Sequence, residues 1–115
     1  MHDSTILRIE VHRQSDKLSI DLDYIVCYEP IRSAPKTLVF EDCAWTEITM
    51  HLFCAPPDSI DSVEEFLVSE EIDRLRRFFQ KSGSDFQDYV HYVFKTSSGS
   101  KISIVARNMY FIDSV

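Results

Sequence analysis

Glycine and proline are scarce here, with two glycines and four prolines in 115 residues. That composition excludes a collagen-like repeat and a low-complexity disordered chain. Long apolar runs are missing as well. None approaches the ~18 residues that a membrane-spanning helix needs, and the opening MHDSTILRIE lacks the basic-then-apolar order of a secretory signal. Cysteine is limited to three, an odd count that cannot close a disulfide framework. These absences point to the cytoplasm, with reduced thiols. Basic side chains are outnumbered, 12 against 19 acidic ones, for a formal charge of −7. Such a chain should repel nucleic acid and anionic membrane. It could favour a basic protein partner, or the charge could serve only solubility.

What is present suits one α+β domain over residues 1–115, a length that buries enough surface for an unaided core. TILRIEVHR alternates, placing Leu7, Ile9 and Val11 on one side and Arg8, Glu10 and His12 on the other. LSIDLDYIVCY alternates again, with Asp21, Asp23 and Cys27 outward. A two-residue turn between these runs would set Val11 opposite Ile20, Ile9 opposite Leu22 and Leu7 opposite Tyr24. EPIRSAPK reads as a loop. TLVFED and AWTEITMHLFC read as strands, the second with Ala44, Thr46, Ile48, Met50 and Leu52 on one face and Glu47, Thr49 and His51 on the other.

Beyond APPDS the period changes. Ser62-Val63-Glu64-Glu65 has the form of a capping box for a short helix. Ser69 can cap a longer helix near residues 70–81, with acids in its first turn and Gly83 as a stop. Ile72, Leu75, Phe78 and Phe79 share one face of it. DYVHYVFKT and KISIVARNMYFI close the chain as a hairpin, with Phe94 opposite Ile102, Tyr92 opposite Ile104 and Val90 opposite Ala106. Gly99 is the turn residue and Asn108 a candidate bulge. The expected order is β-β-β-β-α-β-β, as a mostly antiparallel curved sheet or small sandwich around Phe78 and Phe79.

The chemistry-bearing residues do not converge. In CAWTEITMHLFC, Cys43 and His51 lie about 26 Å apart on a strand at ~3.3 Å per residue. His51 and Cys54 face opposite sides unless the strand ends at Phe53. A zinc site needs four converging ligands, so no metal and no cofactor is expected. The three cysteines read as packing residues, with Cys27 the one on an exposed position, and His12 and His91 read as solvated. No catalytic set stands out. In the expected register Glu10 lies opposite Asp21 and Arg8 opposite Asp23, which makes an acidic outward face. That face is either solvated or a docking surface for a basic partner. Trp45, Phe53 and Glu47 share another outward face, which is core if covered and an interface if open.

HDSTILRIEV, LVFEDCAW and the Ile60-to-Glu64 spacing at a helix entry together resemble a group of small uncharacterised bacterial proteins over about the first two thirds of the chain. That group brings no activity with it, but many small acidic bacterial α+β domains are immunity proteins of toxin systems, an analogy of size and charge. The acidic charge, the short chain and the lack of a convergent catalytic set lead to the expectation of a non-enzymatic protein-binding domain, such as an immunity protein. Its candidate contact residues are Glu10, Asp21, Asp23, Trp45 and Glu47. The alternative is a small-ligand-binding protein or enzyme, with a pocket between sheet and helix lined by some of Tyr24, Phe40, Tyr92 and Phe94. Oligomeric state is left open.

Overall fold

The computed structural model describes residues 3–49, 59–83 and 88–113. Strands β1 (Thr5–His12), β2 (Lys17–Tyr28), β3 (Ile31–Glu41), β4 (Trp45–Thr49) and β5 (Ile60–Phe66) precede helix α1 (Glu70–Ser82). Strands β6 (Val90–Thr96), β7 (Lys101–Ala106) and β8 (Asn108–Asp113) follow it. They form two four-stranded antiparallel sheets, sheet A in the order β1-β2-β3-β8 and sheet B in the order β4-β7-β6-β5. The small sandwich is therefore the arrangement observed.

Alternation explains the interior. Leu18, Ile20 and Leu22 of β2 and Leu38 and Phe40 of β3 meet Ile60, Tyr92, Phe94, Ile102, Ile104 and Ala106 of sheet B. Phe40 is the hub, with its ring edge-on to Tyr92 at 5.2 Å and to Phe94 at 5.9 Å. At one margin the start of β1 holds the start of β5, through Asp3 N–H to the Ile60 carbonyl (2.8 Å) and Ile60 N–H to the Ser4 carbonyl (2.9 Å). At another, the chain passes from sheet B to sheet A at the single residue Arg107, whose N–H donates to the Glu41 carbonyl. The irregularity expected at Asn108 is this corner rather than a bulge.

The second hairpin matches expectation residue for residue, with Val90, Tyr92 and Phe94 opposite Ala106, Ile104 and Ile102. Gly99 sits at φ 86 in its turn. The helix also starts and stops as read: Ser69 Oγ accepts from Ile72 N–H, and Gly83 ends it at φ 72, the left-handed conformation that glycine adopts without cost.

Four expectations are corrected. The β1–β2 pairing is displaced by two residues, so Val11 faces Leu18 and Ile9 faces Ile20, with a bulge between Ile6 and Arg8 that brings Ile6 opposite Leu22. The connecting loop takes four residues because Asp16 adopts a positive φ of 54 and its carbonyl accepts from Cys43 N–H. A shift of two preserves facing, so Asp21 and Asp23 stay outward, but Leu7 and Val11 are exposed. Secondly, EPIRSAPK is no loop. Tyr28 pairs with Ile31 across Glu29-Pro30, and β3 starts there, with Pro35 opposite Asp23. Thirdly, Ser62–Glu65 belongs to strand β5, where Val63 pairs with Phe94, so the Ile60-to-Glu64 spacing marks no helix entry. Finally, Phe78 is 65% exposed and the interior centres on Phe40 and Phe94.

Candidate functional site

Sheet A presents an outer face built from the odd positions of β2 and β3 and the even positions of β8. Arg8 and Glu10 of β1, Asp21 and Asp23 of β2, Pro35 and Thr37 of β3, and Ile112 of β8 meet there across paired strands. The expected Glu10–Asp21 opposition does not occur, since Glu10 is opposite Ser19 and Arg8 is opposite Asp21. The Arg8 guanidinium donates to the Glu10 carboxylate, and its Nε lies 3.9 Å from Asp21 Oδ2. Thr37 Oγ1 donates to Asp21 Oδ1 at 2.7 Å. Arg8 is held even more firmly protonated than usual, first by the Glu10 bond and then by its charge. Asp23 has no such cation beside it among the described ion pairs. A shallow, open depression of about 570 Å³ lies on this face, lined by Leu7, Arg8, Asp21, Pro35, Thr37 and Ile112. Further along, the neighbouring Glu41 carboxylate pushes the Tyr110 phenol above its ordinary value.

Sheet B differs, because α1 lies over its outer face. Ile72 is buried there, and Leu75 lines a recess with Trp45, Glu71 and Arg74. Beneath the first helical turn sits His91, 6% exposed, where a solvated side chain was expected. Its Nε2 is hydrogen-bonded to Ser103 Oγ, and its Nδ1 is buried, 3.5 Å from Glu71 Oε2, without a hydrogen-bond partner. The Trp45 and Phe66 rings flank it, each centred 6.0 Å away. Burial pulls the imidazole below its ordinary value, against the opposing pull of Glu71 and with a smaller contribution from Lys101.

Serine, histidine and carboxylate in line can activate a hydroxyl. Here, however, Ser103 is 5% exposed and its hydroxyl is enclosed with the imidazole, while the Glu71 carboxylate stands beside Nδ1 without a hydrogen bond to it. Beside it, Glu64, Phe66, Val68, Ser69, Lys95 and Lys101 line an open cleft of about 400 Å³. Lys95 Nζ lies 3.6 Å from Glu64 there. Sequence parity put His91 outward correctly. The missed signal was the near-continuous apolar character of VHYVF and ISIVA, broken only by His91 and Ser103, which marks strands covered on both faces.

The five sequence-predicted contact residues therefore divide. Glu10, Asp21 and Asp23 share the outer face of sheet A. Trp45 is half-buried at the margin of α1, and Glu47 is exposed on β4 opposite Ser103. No protein-family model, curated protein or solved structure matches the chain. Among the described residues no group of three or more His, Cys, Asp or Glu is placed to hold a metal ion, and no helix is long and apolar enough to cross a membrane. Cys27 is exposed; Cys43 is half-buried, and burial pushes its thiol up to about 11. His51, Phe53 and Cys54 lie outside the described residues.

Proposed function

We propose that this is a non-enzymatic binding protein of the cytoplasm that docks a basic protein partner on the outer face of sheet A, in the manner of an immunity protein holding a toxin. One observation carries the reading. The single described helix covers sheet B, while no described element covers the face that bears Glu10, Asp21 and Asp23 beside exposed Leu7 and Ile112. Apolar anchors within a charged rim suit protein recognition, and an uncompensated Asp23 would steer a cationic surface toward them. Trp45 and Glu47 drop out of this surface, because they lie on the other sheet.

The test is a display selection of the source organism's proteins against wild type, Asp23→Lys and Glu47→Lys. A basic partner lost with Asp23→Lys and kept with Glu47→Lys supports the reading. A partner retained equally by both, or lost only with Glu47→Lys, refutes it.

A second reading, small-ligand binding, is favoured by the cleft at the head of α1. A thermal-shift screen whose hits vanish in Lys101→Ala would support it.

A further inference from the structure

Sheet edges carry unpaired backbone donors and acceptors, and proteins blunt them with charges, prolines and bulges. Three of the four edge strands among the described residues are blunted in this way. β1 has Arg8, Glu10 and His12 and the bulge between Ile6 and Arg8. β5 has Asp61, Glu64 and Glu65 and a bulge between Ile60 and Ser62. β4 has Glu47 at its centre.

The fourth edge, β8, reads Asn-Met-Tyr-Phe-Ile-Asp. It carries no charge before Asp113 and no proline, and it pairs regularly with β3 along all six residues. Tyr110, Phe111 and Ile112 are each 37–49% exposed, and no described strand pairs with the outer edge.

We propose that the β8 edge pairs antiparallel with the β8 edge of a second copy of this chain, about a two-fold axis through Tyr110. The inference rests on the edge alone and not on the docking function above. Side chains directly opposite in an antiparallel pair share a face, so the two sheets A can join only in registers that match like faces. With Tyr110 on the axis, Met109 faces Phe111 of the second copy and Asn108 faces Ile112. Arg107, the corner residue just before β8, comes level with Asp113 at both ends, two opposite-charge pairs generated by one symmetry operation. With Phe111 on the axis instead, Asp113 would face Met109, and Arg107 would lie opposite the uncharged position 115, a valine. Charge therefore selects the first register. Arg107 is free to turn, because its present partner Asp42, at 3.6 Å, is an exposed contact. The product is an eight-stranded sheet with the Glu10, Asp21 and Asp23 faces of both copies on the same side. A six-residue edge is smaller than a standard interface, so the association is concentration-dependent.

Sedimentation velocity from about 1 to 500 µM spans the range expected of a small interface. The expected result is a monomer–dimer equilibrium in wild type that Asp113→Arg weakens on the order of 10-fold, through loss and reversal of both charge pairs. Arg107→Asp combined with Asp113→Arg should recover it.

Register is read separately in a Cys27→Ser background. Tyr110→Cys meets its own copy at a separation a disulfide can span, and it should cross-link under mild oxidation. Asn108→Cys should not. Circular dichroism confirms that each variant is folded. A monomer throughout the concentration range, or a dimer untouched by Asp113→Arg and not linked through position 110, overturns the proposal.

Discussion

Phe40→Ala tests where the interior lies. Phe40 is fully buried on β3 and reaches across the sandwich to two rings of β6, edge-on to Tyr92 and Phe94. Truncating a buried phenylalanine costs about 3–5 kcal/mol, through lost transfer energy and the residual cavity. Two edge-to-face pairs add weight toward the upper end, at about 0.5–1.5 kcal/mol each. That is a large share of the ~5–15 kcal/mol that holds a domain folded, so Phe40→Leu serves as the graded partner. Leucine keeps most of the apolar surface and loses both ring contacts, for about 1–3 kcal/mol by the same ring-pair values. Phe78→Ala is the contrast: at 65% exposure it should change stability by no more than ~0.5 kcal/mol. Urea unfolding followed by far-ultraviolet circular dichroism supplies the three midpoints. If Phe78→Ala costs as much as Phe40→Ala, or Phe40→Leu costs nothing, the two-sheet interior centred on Phe40 is wrong.

Three further outcomes follow from side chains already placed. The folded-state pKa of His91 lies below its unfolded value near 6.5. The unfolded chain therefore takes the proton first, and stability should fall as pH drops below about 6.5. Urea midpoints at pH 7.5 and 5.5 should differ in wild type and converge in His91→Gln; an acid-stabilised wild type would refute this. Asp21→Asn keeps an acceptor for Thr37 and loses only an exposed ion contact to Arg8, so its stability should stay within ~0.5 kcal/mol of wild type. A gain of 1 kcal/mol or more by chemical denaturation, on the order expected for a relieved like-charge pair, would restore the Glu10–Asp21 opposition. Iodoacetamide followed by peptide mapping should modify exposed Cys27 well before Cys43, whose thiol is raised to about 11 by burial. Equal rates would contradict the burial of Cys43.

The legible parts of the fold were those fixed by chemistry close in sequence. Ser69 and Gly83 delimit α1 through their own hydrogen bonds and φ. The β6–β7 register follows from Gly99 and from the apolar residues at every second position, Val90, Tyr92 and Phe94 against Ala106, Ile104 and Ile102. Elsewhere a local signal lost to a distant partner. Ser62 and Glu65 have the residue types of a capping box, but pairing of Val63 with Phe94 holds them in a strand. Prolines 30 and 35 hid the first half of β3, although a proline at the turn and another within the ribbon are compatible with pairing to β2. Helical periodicity identified which face of α1 is apolar but not its depth, so Phe78 was placed in the interior. The candidate site was half legible. Parity set Glu10, Asp21 and Asp23 outward, and only the three-dimensional arrangement shows that Trp45 and Glu47 belong to a different sheet.

The strand order also sets a timetable for synthesis. Sheet A lacks an edge until β8 is made, and the sheet that packs against it needs β6 and β7, which come shortly before. From the end of β3 at Glu41 to the end of β7 at Ala106, a ribosome working at roughly 5–20 residues per second spends about 3–13 s. Through that interval the nascent hairpin of β2 and β3 carries Leu18, Ile20, Leu22, Leu38 and Phe40 on one side with no opposing sheet to cover them. A partly made chain therefore presents a sticky apolar ribbon until the second sheet is complete.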